Sequence, residues 1–234
     1  MPVSNAKSTV VEGVEFPAGP YMLEGELAYS EDVEAPRGVV LAGSHPLLGG
    51  NMHNNVVRGL GDGLAECGWV TLRFNYRGVG RSQGPAIDMA RHMAEFWATS
   101  HVTGEMDLRS DVQGAADFLR LVIGPRKPLV LIGYSFGCAL LPSARLSEPP
   151  AAFVLIAPPL AKHDYSAFVT VKSPLLVIVA ENDFTTDPER LREWFGSLGM
   201  EKKLVQAPRD DHFFRGQESW LVETVAAFLQ EHTG

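Results

Sequence analysis

Short runs of apolar, β-favouring residues recur along the chain at Gly38–Ala42 (GVVLA), Trp69–Phe74 (WVTLRF), Leu129–Gly133 (LVLIG), Ala152–Ala157 (AFVLIA), Leu175–Ala180 (LLVIVA) and Lys203–Gln206 (KLVQ). Their hydrophobicity is near-continuous rather than alternating, which predicts strands covered on both faces. Between them, Asn54–Cys67, Asp107–Ile123, Pro188–Leu198 and Glu218–Glu231 read as helices. In Asp107–Ile123, Leu108, Val112, Ala115, Ala116, Leu119 and Ile123 recur at near-helical spacing, and Asp107 and Asp111 stand near the positive end of the helix dipole. Val14–Ser30 alternates and turns at Pro17–Pro20, which predicts an antiparallel hairpin at a sheet edge. The rhythm as a whole predicts an α/β fold with a mostly parallel central sheet, an antiparallel N-terminal edge and helices on both faces. Nothing divides residues 1–234 into two halves, so a single domain is expected. One stretch breaks the rhythm. Gly84–Gly104, with Met89, His92, Met93, Phe96, Trp97 and His101, is longer than an idle connection, and it predicts a functional or independently helical insertion.

Composition narrows the classes. Hydrophobic residues at 45% and charged residues at 21% exclude a disordered polymer. A formal charge of −8 has the wrong sign for gripping a phosphate backbone, so nucleic acid is not an expected partner. No apolar run approaches the ~20 residues of a membrane helix. The N-terminal stretch from Met1 to Val14 lacks the charge cluster and apolar core of a signal peptide. Cys67 and Cys138 form no C-x-x-C pair and read as small buried apolar residues in a reducing compartment, so a cytoplasmic location is expected.

The chemistry begins directly after LVLIG. Gly133-Tyr134-Ser135-Phe136-Gly137 spells G-x-S-x-G at a strand-to-helix junction, and a serine on such a turn is held strained with its hydroxyl pointing away from the sheet. Phe136–Leu146 is expected to be the following helix, its N-terminal amides aimed at charge growing beside Ser135. A serine needs a general base, itself oriented by a third group. Asp183 follows the strand LLVIVA, at the end of the sheet where ligands bind, and His212 lies in a loop before the C-terminal helix. Asp187, directly before Pro188, suits a helix N-cap better than catalysis; Asp210 and Asp211 suit loop shaping. Two backbone amides would complete an oxyanion hole. One is Phe136, and the other comes from the loop Gly43–Gly50, where Pro46 has no N–H and Leu47 is the expected donor. His45 helps fix that loop's path; as a metal ligand it lacks a partner at a recognisable spacing, and no metal is expected. Gly78-x-Gly80 fails the dinucleotide pattern because Gln83 replaces the third glycine, and no phosphate-loop, zinc or calcium motif occurs, so no cofactor is expected.

These residues give the chain a resemblance to the α/β-hydrolase superfamily over nearly its whole length, and specifically to small bacterial α/β-hydrolases with an HPLxGG segment. The matching stretches are HPLLGGNMHNNVV (His45–Val57), the N-x-R-G-x-G-x-S pattern of Asn75–Ser82, GYSFG, and the ending Asp211-His212-Phe213-Phe214. The resemblance implies an α/β-hydrolase fold with Ser135 as nucleophile, Asp183 as acid, His212 as base, and Leu47 and Phe136 as oxyanion donors. It departs at Ser44, where many relatives carry proline, and at Gly84–Gly104, which is longer than usual and would cap the active site. The expected activity is hydrolysis of a carboxylic ester of a small, hydrophobic substrate through an acyl-enzyme. Thioesterase, peptidase and carbon–carbon hydrolase chemistry use the same apparatus, and a non-catalytic binder could keep the scaffold. His45, Met89, Met93, Phe96 and Trp97 are the expected pocket residues, against the plainer reading that the last four only pack the segment onto the body.

Overall fold

The computed structural model describes residues 9–31 and 36–233; the start of the stretch judged for a signal peptide, residues 1–8, lies outside them. Eight strands form one sheet: β1 (Thr9–Ala18), β2 (Tyr21–Ser30), β3 (Gly38–Ala42), β4 (Val70–Phe74), β5 (Leu129–Tyr134), β6 (Ala152–Ile156), β7 (Leu175–Val179) and β8 (Lys202–Gln206). Their order is β1-β2-β4-β3-β5-β6-β7-β8. The β1–β2 and β2–β4 pairs are antiparallel, and all other neighbours are parallel. The fold class is therefore the predicted one, with the hairpin at the edge. Every residue of β3, β4, β5, β6 and β7 is buried, as their unbroken hydrophobicity requires. The edge strand β8 is mostly exposed and carries Lys202 and Lys203, charges that discourage further strand pairing.

The helices are α1 (Asn55–Glu66), α2 (Met89–Thr99), α3 (Arg109–Ile123), α4 (Gly137–Leu140), α5 (Pro188–Ser197) and α6 (Glu218–Thr233). Alternate strand residues feed two cores. Val39, Leu41, Val130, Ile132, Val154 and Ile178 pack with Leu60 and Leu64 of α1 and Leu221, Val225 and Phe228 of α6. Val40, Leu72, Leu131, Leu155 and Val177 pack on the other face with Val112, Ala115, Ala116 and Leu119 of α3 and Leu191 of α5. Asp111, expected near the start of α3 as a dipole partner, is buried, and it accepts hydrogen bonds from the Arg77 amide (2.8 Å) and Nε (2.8 Å). Asp187 caps α5 by accepting from the amides of Glu189 and Arg190, as its place before Pro188 suggested. Among the described residues no helix is long and apolar enough to cross a membrane.

Two local expectations are corrected. The helix after Ser135 does not run to Leu146: α4 ends at Leu140 and passes into a 3-10 turn over Leu141–Ser143. Pro142 has no N–H to return to the carbonyl four residues back, so the α-helix cannot continue. Cys138 is buried, but Cys67 is exposed, because it is the C-cap of α1 rather than a core position. Gly84–Gly104 is helical on its own account, as its length suggested: Asp88 caps α2 by accepting from the Arg91 amide at 3.1 Å, and Ser100, left-handed at φ 63°, ends it. This helix buries only His92, so its apolar residues are not core.

Candidate active site

Ser135 follows β5, the strand held between β3 and β6 near the middle of the sheet. Its φ of 53° lies in the left-handed region, where a residue with a Cβ pays roughly 1–3 kcal/mol of strain. Its amide donates to Ile156 O at 2.8 Å, which fastens the turn to β6. The flanking glycines permit the turn sterically. A Cβ on Gly133 would sit 2.6 Å from the Cys138 amide nitrogen, and one on Gly137 would overlap the Ala42 carbonyl oxygen. Since α4 is a single turn, any stabilisation of negative charge beside Ser135 rests on individual amides rather than on a long helix dipole.

Asp183 and His212 come from the ends of β7 and β8, on the same side of the sheet as Ser135. Both are buried, and His212 Nδ1 lies 2.8 Å from Asp183 Oδ2 and 2.9 Å from Oδ1. Thr185 donates to Asp183 Oδ1 through its amide (2.8 Å) and hydroxyl (2.7 Å). Burial pushes the Asp183 carboxyl upward, but the hydrogen bond and charge of His212 and the two Thr185 donors prevail and hold it below its ordinary value. A carboxyl whose folded value lies below its unfolded value stabilises the fold in full above about pH 4–5, and that contribution is lost as pH falls through the folded value. The difference in Tm between wild type and Asp183→Asn is therefore expected to be largest near neutrality and to shrink as pH falls below the ordinary aspartate value of about 4 in calorimetric scans. A gap that stayed constant with pH would contradict the pairing. Asp210 and Asp211 are loop builders: Asp210 accepts from the Asn182 amide (2.8 Å), and Asp211 from the amides of Phe213 (3.1 Å) and Arg215 (3.0 Å).

The loop after β3 turns as a 3-10 helix over Pro46–Leu48. Leu47 and Phe136 both stand at helix starts, where amides have no partner inside the helix. The N-x-R-G-x-G-x-S stretch supports this loop from below. Asn75 Oδ1 accepts from the Met52 amide at 2.8 Å, the Tyr76 hydroxyl donates to Gly43 O at 3.3 Å, and Asn75 Nδ2 donates to the buried Glu24 at 2.7 Å. Ser82 ties the stretch together by donating to Asn75 O at 2.8 Å and accepting from the Glu24 amide at 3.0 Å.

A cavity of about 370 Å³ joins these parts, a volume suited to a small ligand. Ser44, His45, Ser135, Phe136 and His212 form its floor, and Met93, Phe96 and Trp97 of α2 line it. Met89 does not: it lies one helical turn before Met93, half exposed beside Gly49, so its expected pocket role is corrected. Among the described residues Ser135 Oγ makes no hydrogen bond to His212, a separation common in unliganded sites. A larger cleft of about 560 Å³ between α5 and β8 holds no serine, cysteine or histidine.

Several lining residues escaped the sequence reading, Phe184, Phe213, Pro159, Lys162 and His163 among them. Phe184 and Phe213 are exposed and adjoin Asp183 and His212 in the chain, a proximity that could have revealed them. The Phe184 ring is 4.7 Å from that of His212. Pro159, Lys162 and His163 follow β6 and carry no local signal. Lys162 Nζ sits 4.0 Å above the Phe96 ring, joining that loop to α2. Beside the cavity, Glu105 gathers three imidazoles: His45 Nε2 at 3.0 Å from Oε2, His101 Nδ1 at 3.0 Å and His163 Nδ1 at 3.8 Å from Oε1. Burial raises the Glu105 carboxyl, yet His45, the Val102 amide and His101, with His163 nearby, bring it down to about 2. His45 also stacks on Phe136, ring centroids 4.2 Å apart.

A serine on a left-handed turn at the end of a central parallel strand, on a sheet of this order, defines the α/β serine hydrolases. Within that superfamily the chain belongs to the Hydrolase_4 family, described as serine aminopeptidase S33, whose model matches residues 35–173. It is 27% identical over 216 residues to an uncharacterized protein of Rickettsia prowazekii, covering 88% of this chain and 84% of that one. A serine hydrolase without lid from Xanthomonas campestris aligns at 27% identity and a TM-score of 0.73, over 99% of this chain and 97% of its own. A putative α/β hydrolase from Agrobacterium tumefaciens aligns at 27% identity and 0.71, over 94% and 95%. The α/β serine hydrolase homologue of Coxiella burnetii, at 24% identity and 0.74 over 93% and 97%, shares the fold.

Proposed function

We propose that this hydrolase cleaves carboxylic esters of small, hydrophobic substrates through an acyl-enzyme on Ser135. The observation that carries the reading is that the strained Ser135 shares one cavity with His212, whose far nitrogen is bonded to the buried Asp183. Ser135 Oγ attacks the ester carbonyl as His212 Nε2 takes its proton, and the carbonyl oxygen becomes an oxyanion facing the amides of Leu47 and Phe136. The C–O bond to the alcohol breaks, and His212 returns the proton to the leaving oxygen. Water, deprotonated by His212 in turn, releases the carboxylic acid and restores the Ser135 hydroxyl. Asp183 holds the imidazole in the required tautomer and stabilises its cationic form.

An ester reading is favoured over aminopeptidase activity by the charge of the cavity. Its lining contains the Lys162 ammonium and no carboxylate, whereas a peptide's α-ammonium would call for an acidic partner. Labelling with a fluorophosphonate probe tests the reading: the adduct is expected on Ser135, and a chain that stays unlabelled is a binder on a hydrolase scaffold. The segment 84–104 is read as a small cap contributing Met93, Phe96 and Trp97 to an acyl pocket. Trp97 lines the cavity while 78% exposed, an arrangement that suits a surface covered by substrate rather than by the protein's own core. Trp97→Ala is expected to lower kcat/KM for octanoate esters relative to acetate esters by about 10-fold, in line with the ~1.5–3 kcal/mol carried by a large apolar side chain. An unchanged chain-length profile would remove Trp97 from the pocket.

A further inference from the structure

We propose a divalent transition-metal site of the Zn²⁺ class formed by His101 Nδ1, Glu105 Oε1 and His163 Nδ1, beside the catalytic cavity and separate from the Ser135 chemistry. The three ligand atoms lie within 4.8 Å of one another, with Glu105 Oε1 3.0 Å from His101 and 3.8 Å from His163. Ligand atoms of a tetrahedral ion with bonds of ~2.0–2.2 Å stand about 3.3–3.6 Å apart, so Glu105 needs to move only a few tenths of an ångström relative to either histidine, and a larger turn of the half-exposed His101 ring would bring the two imidazoles to that spacing. Two imidazoles and one carboxylate form the donor set that zinc takes with three protein ligands, leaving a fourth position for water.

The surroundings have the form of a supporting shell. The second oxygen of Glu105 accepts from the Val102 amide at 2.8 Å and pairs with His45 Nε2 at 3.0 Å, which directs Oε1 to the other two ligands. Glu105 and the side chain of His163 are largely covered, which fixes their geometry, and His101 is half exposed, which gives an ion its way in. His101 and Glu105 lie four positions apart in the connection after α2, where Glu105 opens a 3-10 turn, whereas His163 comes from the loop after β6. An ion here would clamp the base of the α2 segment to that loop, alongside the Lys162–Phe96 contact that already joins them. His45 is a support for the carboxylate and not a ligand.

Titration of the untagged, metal-free full chain with Zn²⁺ alone, followed by calorimetry and thermal denaturation, tests the site. One Zn²⁺ per chain is expected, with a Tm rise of about 5–10 °C at 100-fold excess over Kd. His101→Ala and His163→Ala should each weaken binding by about 10-fold or more. His53→Ala, which removes an exposed histidine outside the cluster, should leave binding unchanged. His101→Ala trims a half-exposed ring, so it keeps the variant folded even if the buried His163→Ala fails. Absence of stoichiometric Zn²⁺ binding by the wild type, or full affinity in the His101→Ala chain, overturns the proposal; turnover by Ser135 plays no part in either readout.

Discussion

Ser135→Ala is expected to abolish ester turnover, lowering kcat/KM for p-nitrophenyl acetate by about 10⁴-fold or more while leaving Tm within a degree or two of wild type. Its magnitude follows from the division of labour in the cavity. On the proposed mechanism, removing the nucleophile leaves only the oxyanion amides and binding to act on a water molecule, and members of such a unit fail together rather than additively. Asp183→Asn gives an independent check with a similar loss, because an amide at that position cannot hold His212 in the tautomer that leaves Nε2 free to accept the Ser135 proton. The double variant should be scarcely worse than either single one. Ser135 is only partly buried, and its hydroxyl makes no side-chain hydrogen bond among the described residues, so alanine fits in its place and a loss of fold would not be the explanation. Undiminished turnover by Ser135→Ala would place the chemistry elsewhere.

A second large effect is expected at a residue with no side chain. Gly137→Ala should lower stability by roughly 3 kcal/mol or more, with Tm down by about 10 °C, and should reduce turnover at least 100-fold in the protein that remains folded. The added methyl would overlap the Ala42 carbonyl oxygen and press on Gly43 O at 2.7 Å, and neither can retreat because Ala42 belongs to the fully buried β3. Relief requires moving the Ser135 turn away from β3, which separates Phe136 from the loop carrying Leu47. Gly196→Ala is the matched control: it lies in α5 with nothing within 4 Å of the new methyl, and it should gain up to about 1 kcal/mol from helix propensity. Parallel urea denaturation and kinetics on the two variants decide the matter, since equal effects would dismiss the steric account.

The sequence by itself determined the sheet and the positions along it of the candidate chemistry. Buried parallel strands must be hydrophobic on both faces, so runs such as LVLIG and LLVIVA announce themselves, and the ligand-facing ends of those strands locate Ser135, Asp183 and His212 in the chain. Glycines at 133 and 137 were legible for the same local reason, because only a residue without a Cβ tolerates backbone at that distance. What only the tertiary structure decided depends on residues distant in the chain. Met93 lines the cavity and Met89 does not, although both lie on one helix, because the choice follows from how α2 is laid across the body. Lys162 and His163 reach the same cavity from a loop without any motif. The grouping of His101, Glu105 and His163 was hidden because the first two stand four positions apart outside any helix while 58 positions separate Glu105 from His163. Periodicity reports how a segment meets solvent and core; which distant side chains share a carboxylate is set by the path of the chain in space.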